Sequence, residues 1–254
     1  MKTELEFLNN NIADNASVVV ACSGGPDSMC LLSLVNNLST VKNITVICAH
    51  VNHKLRTESE EEALMVQKYC EENNILFELL EITDYLNGNF SEEDARKRRY
   101  NFFDQVIQKY HSQYLLTAHH GDDLVETILM RLTRGSNLSG YIGIRQISTN
   151  ESYQILRPLL TTTKEAILKY NEENKVAYAI DASNTNLKYT RNRYRHSVLP
   201  FLKNEDSNVH LKYLKFSKEL IAYDNFVSAY IKDKELIVDN KVDINLSLIH
   251  ISEP

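Results

Sequence analysis

Short apolar, β-branched runs alternate along the chain with longer segments whose apolar positions recur at helical spacing. Residues 17–22 (SVVVAC) are apolar almost throughout, as a strand covered on both faces requires, and 27–38 (DSMCLLSLVNNL) has helical periodicity. The loop SGGP joins them. The alternation then repeats: a strand at 43–51, an acid-started helix at 57–74, a strand at 75–82, a helix at 91–111, a strand at 113–118 and a helix at 121–134. Ser91 with Asp94, and Thr57 with Glu60, have the spacing of capping boxes. This alternation predicts an α/β fold with a parallel sheet covered by helices on both faces. Beyond Gly143 the pattern is mixed: a strand in SYQILRPLL, a helix in TKEAILKYNEEN, a basic loop at 181–200, an amphipathic helix from Glu205 to about Ile231, and a hairpin in KELIVDNKVDINL.

With 254 residues, 43% hydrophobic and 24% charged, the chain can build one large domain or a domain with an appendage, which excludes a disordered or fibrous polypeptide. Residues 1–14 have neither a basic nor an apolar signal region, and no run approaches the roughly 20 apolar residues of a membrane span, so a cytoplasmic protein is expected. Cys22, Cys30, Cys48 and Cys70 lack metal-ligand spacing and read as buried thiols. The net charge of −6 excludes a uniformly basic coat; a nucleic-acid partner must meet a local basic patch. Glycine numbers only seven, yet Gly24 and Gly25 are adjacent, which points to a backbone constraint there.

Four motifs carry chemistry. SGGPDS (23–28), between a strand and a helix, offers glycine N–H groups, a helix N-terminus and the hydroxyls of Ser23 and Ser28 to a phosphate. Asp27 there is either a dipole-compensating acid or an approach to magnesium. TAHHGDDLVET (117–127) again follows a strand, and Asp122 with Glu126, or Asp123 with Glu126, share a helical face. Such carboxylates suit a cation, either magnesium or an ammonium-bearing substrate, while His119 and His120 suit phosphate contact or proton transfer. HVNHKLR (50–56) and EDARKRRY (93–100) add His50, Arg96, Arg99 and Tyr100. YTRNRYRHSVLP (189–200) places Arg191, Arg193 and Arg195 among aromatic residues, a surface suited to RNA phosphates and bases unless the arginines pair with the chain's own acids.

Over residues 16–200 these motifs, with RPLL (157–160), come in an order that resembles the tRNA(Ile)-lysidine synthases of the N-type ATP pyrophosphatase (PP-loop) superfamily. The resemblance implies a Rossmann-like PP-loop domain with a helical C-terminal segment. It implies that ATP adenylates the C2 oxygen of the wobble cytidine in an isoleucine tRNA with a CAU anticodon, releasing diphosphate. The amine of free L-lysine then displaces AMP. Under it, Ser23, Gly24, Gly25, Pro26, Asp27, Ser28, His50 and Arg96 bind ATP, with Mg2+ at Asp27. Asp123 and Glu126 bind lysine, and Arg191, Arg193 and Arg195 bind tRNA. Asp27, His119, His120, Asp123 and Glu126 form the catalytic set. No membrane and no obligate protein partner are implied.

The corresponding domains are a catalytic unit at 1–204 and the start of a helical tRNA-contacting segment at 205–245. Residues 246–254 (LSLIHISEP) back-translate into the end sequence of a transposase-based sequencing adapter, so they are expected to be read-through from a longer gene. Competing readings are a tRNA 2-thiolation enzyme, which calls for exposed reactive cysteines, an amidotransferase-type synthetase, and a non-catalytic adenine-nucleotide-binding protein.

Overall fold

The computed structural model describes residues 1–54, 58–83, 85, 91–180, 188–233, 237–238 and 241–242. Its centre is a six-stranded sheet in the order β3-β2-β1-β4-β6-β5. The strands are β1 (Ser17–Cys22), β2 (Thr45–Asn52), β3 (Leu76–Glu81), β4 (Tyr114–Leu116), β5 (Ile147–Thr149) and β6 (Gln154–Leu156). β1 pairs in parallel with β2, placing Cys22 beside His50, and with β4, placing Val20 beside Leu116. Only β5 runs antiparallel, against β6, so the expected parallel sheet acquires one reversed edge strand. Chain order turns back between β1 and β4, and the C-terminal ends of those two strands therefore open the crevice where such sheets place ligands.

Helices cover both faces. Val18, Val20 and Cys48 point toward α1 (Lys2–Asn11), α2 (Pro26–Lys42) and α7 (Lys164–Glu173), packing with Leu8, Leu31, Val35 and Ile167. Val19, Ile47 and Leu115 point the other way, onto Phe102, Phe103 and Val106 of α4 (Glu92–Lys109). The period of two in the strands thus divides one apolar run between two cores. α3 (Glu58–Glu72) joins the first face through Val66 and Cys70. A third cluster joins Leu124 and Ile128 of α5 (Gly121–Arg134) to Leu214 of α10 (Val209–Asp233). The remaining helices are α6 (Leu138–Tyr141), α8 (Thr190–Arg193) and α9 (Leu199–Glu205).

The expected alternation holds, with ends displaced by a few residues. At α4 the Ser91 hydroxyl accepts the Asp94 N–H, as the capping spacing predicts, whereas Thr57 lies outside the described residues. Three expectations are corrected. SYQILRPLL is strand only over Gln154–Leu156, because Pro158 cannot continue a ladder and starts a 3-10 turn, Pro158–Thr161. The basic segment expected as a loop is helical from Thr190, running through α8, a π-helical turn at Tyr194–Val198 and α9; residues 181–187 lie outside the described set. The helix expected from Glu205 starts at Val209, after a break at 206–208. The hairpin appears as β7 (Ile237–Val238) paired with β8 (Lys241–Val242), and the suspected adapter residues 246–254 lie outside the described residues. All four cysteines are buried, as expected, and no described helix is long and apolar enough to cross a membrane.

Candidate nucleotide and amine site

The loop after β1 is braced from within. The Ser28 hydroxyl donates to the Gly25 carbonyl at 3.0 Å and accepts the Ser23 N–H at 3.1 Å, with the Ser23 hydroxyl 3.3 Å away. Ser28 thus spends its hydroxyl on loop shape, leaving backbone N–H groups and Ser23 nearer the mouth. Gly24 has a φ of +82°, which disfavours any side chain, and a Cβ there would press on Val66 at 3.3 Å. Pro26 occupies the first turn of α2, where its missing N–H costs nothing. His50, buried at the end of β2, donates from Nδ1 to the Cys22 carbonyl at 2.9 Å and tethers the two strand ends. Burial lowers its pKa, the hydrogen bond working against that, so it enters as a neutral ring.

After β4 the chain enters α5 through His119 and His120. Gly121 is pinned: its N–H donates to the Thr162 carbonyl at 2.8 Å, and an added Cβ would lie 2.9 Å from His210 and 3.0 Å from that carbonyl. The Asp123 carboxylate accepts the His120 N–H at 3.0 Å, closing the first turn. His119 sits with Nδ1 3.1 Å from the Thr117 hydroxyl; burial first, then Arg157 and Arg191, hold its pKa down to about 4 despite the pull of Asp123.

These two strand ends converge. The buried His120 Nε2 lies 3.8 Å from Asp27 and 3.5 Å from Asp123, linking the SGGPDS loop to the α5 carboxylates. Lys164, at the start of α7, meets the same Asp27 oxygen, Oδ1, at 2.5 Å. Asp122, which the i, i+4 spacing paired with Glu126, instead faces away: it accepts the Lys164 N–H at 3.1 Å and Lys203 Nζ at 2.7 Å, clamping α5, α7 and α9 together. Nothing in the motifs marked Lys164 or Lys203, since a lysine opening a helix is unremarkable until its partner is known.

Asp123 and Glu126 form a cation-binding pair. Glu126, completely buried, takes Arg191 Nε at 2.8 Å and Arg195 Nε at 2.7 Å; Asp123 takes the same two guanidiniums at 3.3 and 3.2 Å. Burial would raise the Asp123 pKa, but His120, Arg191 and the His120 N–H bring it down to about 2. The arginine segment therefore divides. Arg191 and Arg195 pair with the chain's own acids, while the exposed Arg193 bonds the Lys188 carbonyl at 2.9 Å and the Thr190 hydroxyl at 3.1 Å. Arg96 lies apart from the carboxylates, on α4, with its guanidinium 4.8 Å from the centre of the Tyr100 ring.

A parallel α/β sheet with an anion-cradling loop after one strand and a carboxylate-bearing helix start after its neighbour, both at the topological switch point, defines a nucleotide-handling α/β domain. Residues 1–202 match the family model described as a PP-loop domain, and the chain belongs to that family. It is 42% identical over 241 residues to a tRNA(Ile)-lysidine synthase of Bacillus subtilis strain 168, covering 92% of this chain and 51% of the relative. It is 39% identical over 237 residues to a bifunctional protein TilS/HprT of Listeria monocytogenes, covering 91% and 37%. The chain thus spans about half the length, or less, of these curated relatives. Among solved structures, the U34-tRNA thiolase NcsA from Methanococcus maripaludis, determined with its [4Fe-4S] cluster, superposes with a TM-score of 0.73 at 17% identity over 87% of this chain and 78% of that one, a likeness of fold.

Proposed function

We propose that this chain carries the chemistry of lysidine synthesis: ATP-dependent joining of free L-lysine to C2 of the wobble cytidine of an isoleucine tRNA with a CAU anticodon, through an adenylated tRNA, with release of AMP and diphosphate. The observation that carries the reading is the Asp123–Glu126 pair, half-buried at Asp123 and fully buried at Glu126, a site built for cationic nitrogen and joined through His120 to the phosphate loop. The name of the Bacillus subtilis relative points the same way.

Each residue then has a physical task. Backbone N–H groups of Gly24 and Gly25, with the α2 N-terminus behind them, receive the diphosphate portion of ATP. Asp27 fits a magnesium ion of the kind held by one carboxylate plus substrate phosphates: it is 30% exposed at the loop mouth, and Lys164 engages only its Oδ1. The metal would supply charge neutralisation on the departing diphosphate. Asp123, ionised down to about pH 2, acts as an electrostatic anchor for lysine rather than as a base. Two guanidiniums already occupy the pair, so an incoming ammonium exchanges with one of them, and the displaced arginine becomes available to RNA phosphate. The attacking amine must shed a proton; His120, buried between Asp27 and Asp123, is the best-placed acceptor.

The cysteines argue against thiolation. All four lie in the core: burial pushes the Cys30 thiol up to about 12, and Cys22, although a hydrogen bond with Cys48 lowers its pKa, is buried and out of reach of a substrate. Supplying the chain with ATP, labelled lysine and a CAU-anticodon isoleucine tRNA transcript tests the proposal. ATP-dependent label in the RNA supports it. AMP formation with tRNA but without lysine transfer would assign a different nucleophile.

A further inference from the structure

Three arginines flank the crevice on the α4 side; the family resemblance places Arg96 at ATP and leaves Arg99 and Arg157 without a task. Arg96 and Arg99 lie three residues apart on α4 and so share a face. Arg157 follows β6 directly, at the same C-terminal edge of the sheet, where Leu156 pairs with Leu116 of β4. Tyr100 connects the groups: it packs on the cluster containing Tyr153 and Ile155 beside β6, and its ring carries the Arg96 guanidinium at 4.8 Å. Arg157 lies in the field of both Arg96 and Tyr100, and Arg99 in that of Arg96.

None of the three guanidiniums is in an ion pair among the described residues, although acidic side chains outnumber basic ones by 34 to 28 in this chain. The contrast with Arg98, Arg145, Arg191 and Arg195 is sharp, since each of those meets a carboxylate within 3.3 Å. Arg157 satisfies one nitrogen on the Arg145 carbonyl and the Ser148 hydroxyl, both at 2.8 Å, while its buried Nε has no hydrogen-bond partner among the described residues. Burial holds both Arg99 and Arg157 below the usual arginine range, with Arg96 adding like-charge repulsion. The neighbouring histidines do not relieve this: burial, and then Arg99, lowers the pKa of His53, while Arg157 helps lower that of His119. Gathering unpaired, partly desolvated positive charge is unfavourable unless an anion completes it.

We propose that Arg96, Arg99 and Arg157 form a second phosphate seat, separate from the SGGPDS loop, which grips a backbone phosphate of the RNA beside the reacting nucleotide. Guanidinium forks match phosphate oxygens in pairs, and Tyr100 offers a ring at which a base can stack. The two seats lie at the ends of different strands, so the diphosphate of ATP and a phosphodiester of RNA are held apart while the base between them is activated. The proposal rests on the RNA-modifying reading for the identity of its ligand; the chemistry it requires is only a phosphate group, which ATP could also bring.

The test uses the full chain and the variants Arg99→Met and Arg157→Lys, with two probes measured separately. One is a fluorescent stem–loop RNA with a CAU anticodon, titrated by anisotropy from about 50 to about 300 mM KCl; the other is a non-hydrolysable ATP analogue in equilibrium dialysis. Arg99→Met is expected to weaken RNA binding roughly tenfold and to flatten the slope of log affinity against log salt by about 0.7, leaving the analogue unaffected. Arg157→Lys, which keeps the charge but loses the fork, should weaken RNA binding with a smaller change of slope. Loss of analogue binding alone would assign these arginines to ATP and overturn the RNA seat. Thermal unfolding separates ligand from structure: an arginine without protein partners can be removed with the melting temperature unchanged or raised. Unaltered affinity for both probes, or no measurable binding of either by the parent chain, would overturn the seat. If the parent chain transfers no lysine yet its binding depends on Arg99, the seat stands and the reaction assigned above falls.

Discussion

Replacing Glu126 by Gln preserves shape and removes one charge from the Asp123–Glu126 pair. The Glu126 carboxylate is fully buried and accepts Arg191 Nε at 2.8 Å and Arg195 through Nε at 2.7 Å and a terminal nitrogen at 3.2 Å. Breaking a buried pair from one side costs about 3–5 kcal/mol when both ions are desolvated. Here Arg191 and Arg195 keep 42% and 32% side-chain exposure, so water recovers part of that and about 1–2 kcal/mol remains. For a domain of this size each kcal/mol shifts the melting temperature by about 2–4 °C, so Glu126→Gln should melt roughly 2–8 °C below the parent in circular dichroism. A double-mutant cycle with Arg195→Met isolates the pair and should return a coupling of about 1 kcal/mol. In the lysine-transfer assay the same substitution should raise the KM for lysine roughly tenfold or more, because a charge-assisted hydrogen bond to the ammonium is lost. An unchanged melting temperature with additive cycle energies would refute the electrostatic reasoning; an unchanged KM for lysine would remove Glu126 from the amine site.

Gly121→Ala should destabilise the domain by about 1–3 kcal/mol in urea unfolding, because the new methyl meets His210 at 2.9 Å and the Thr162 carbonyl at 3.0 Å. Asp123 has a folded pKa of about 2, below its ordinary 3.8, so its stabilisation is complete above pH 4 and is lost as pH falls toward 2. Asp123→Asn should therefore abolish about 2 kcal/mol of acid-dependent stability over that window in melting curves. His119 resists protonation until about pH 4 while the unfolded chain takes up its proton near 6.5, so stability falls from pH 6.5 to 4, and His119→Gln should flatten that slope. Lys164→Met frees the Asp27 carboxylate from its 2.5 Å contact and should slow tRNA-dependent diphosphate release by roughly tenfold, with a smaller effect on melting temperature.

Patterning made the sheet legible because its central strands β1, β2 and β4 are buried on both faces and its helices begin with acids and caps, so SVVVAC, QYLLTA and GDDLVET each satisfied local propensity and tertiary demand together. The helicity of Thr190–Glu205 was hidden, since it rests on two arginines docked on carboxylates more than 60 positions away. The same distance concealed the partition of the basic segment: identical residue types at 191, 193 and 195 turn two arginines inward to the acids and leave one at the surface. Helical spacing offered both Asp122 and Asp123 as partners for Glu126, and only the position of Lys164 and Lys203 decides between them. The loop and the carboxylates were found separately in the sequence; that His120 joins them depends on β1 and β4 being neighbours, which chain order does not reveal.

The central claim is that one crevice couples a phosphate loop to an amine site for the modification of an RNA base. Its most direct measurement is the stoichiometry of AMP, diphosphate and RNA-bound lysine formed from ATP, labelled lysine and a CAU-anticodon isoleucine tRNA transcript, with a wobble-uridine transcript alongside. Equal amounts of all three products with the cytidine transcript, none with the uridine transcript, and transfer reduced at subsaturating lysine in Glu126→Gln are the predicted result. AMP and diphosphate formed without lysine in the RNA, or lysine transferred equally to both transcripts, would contradict it.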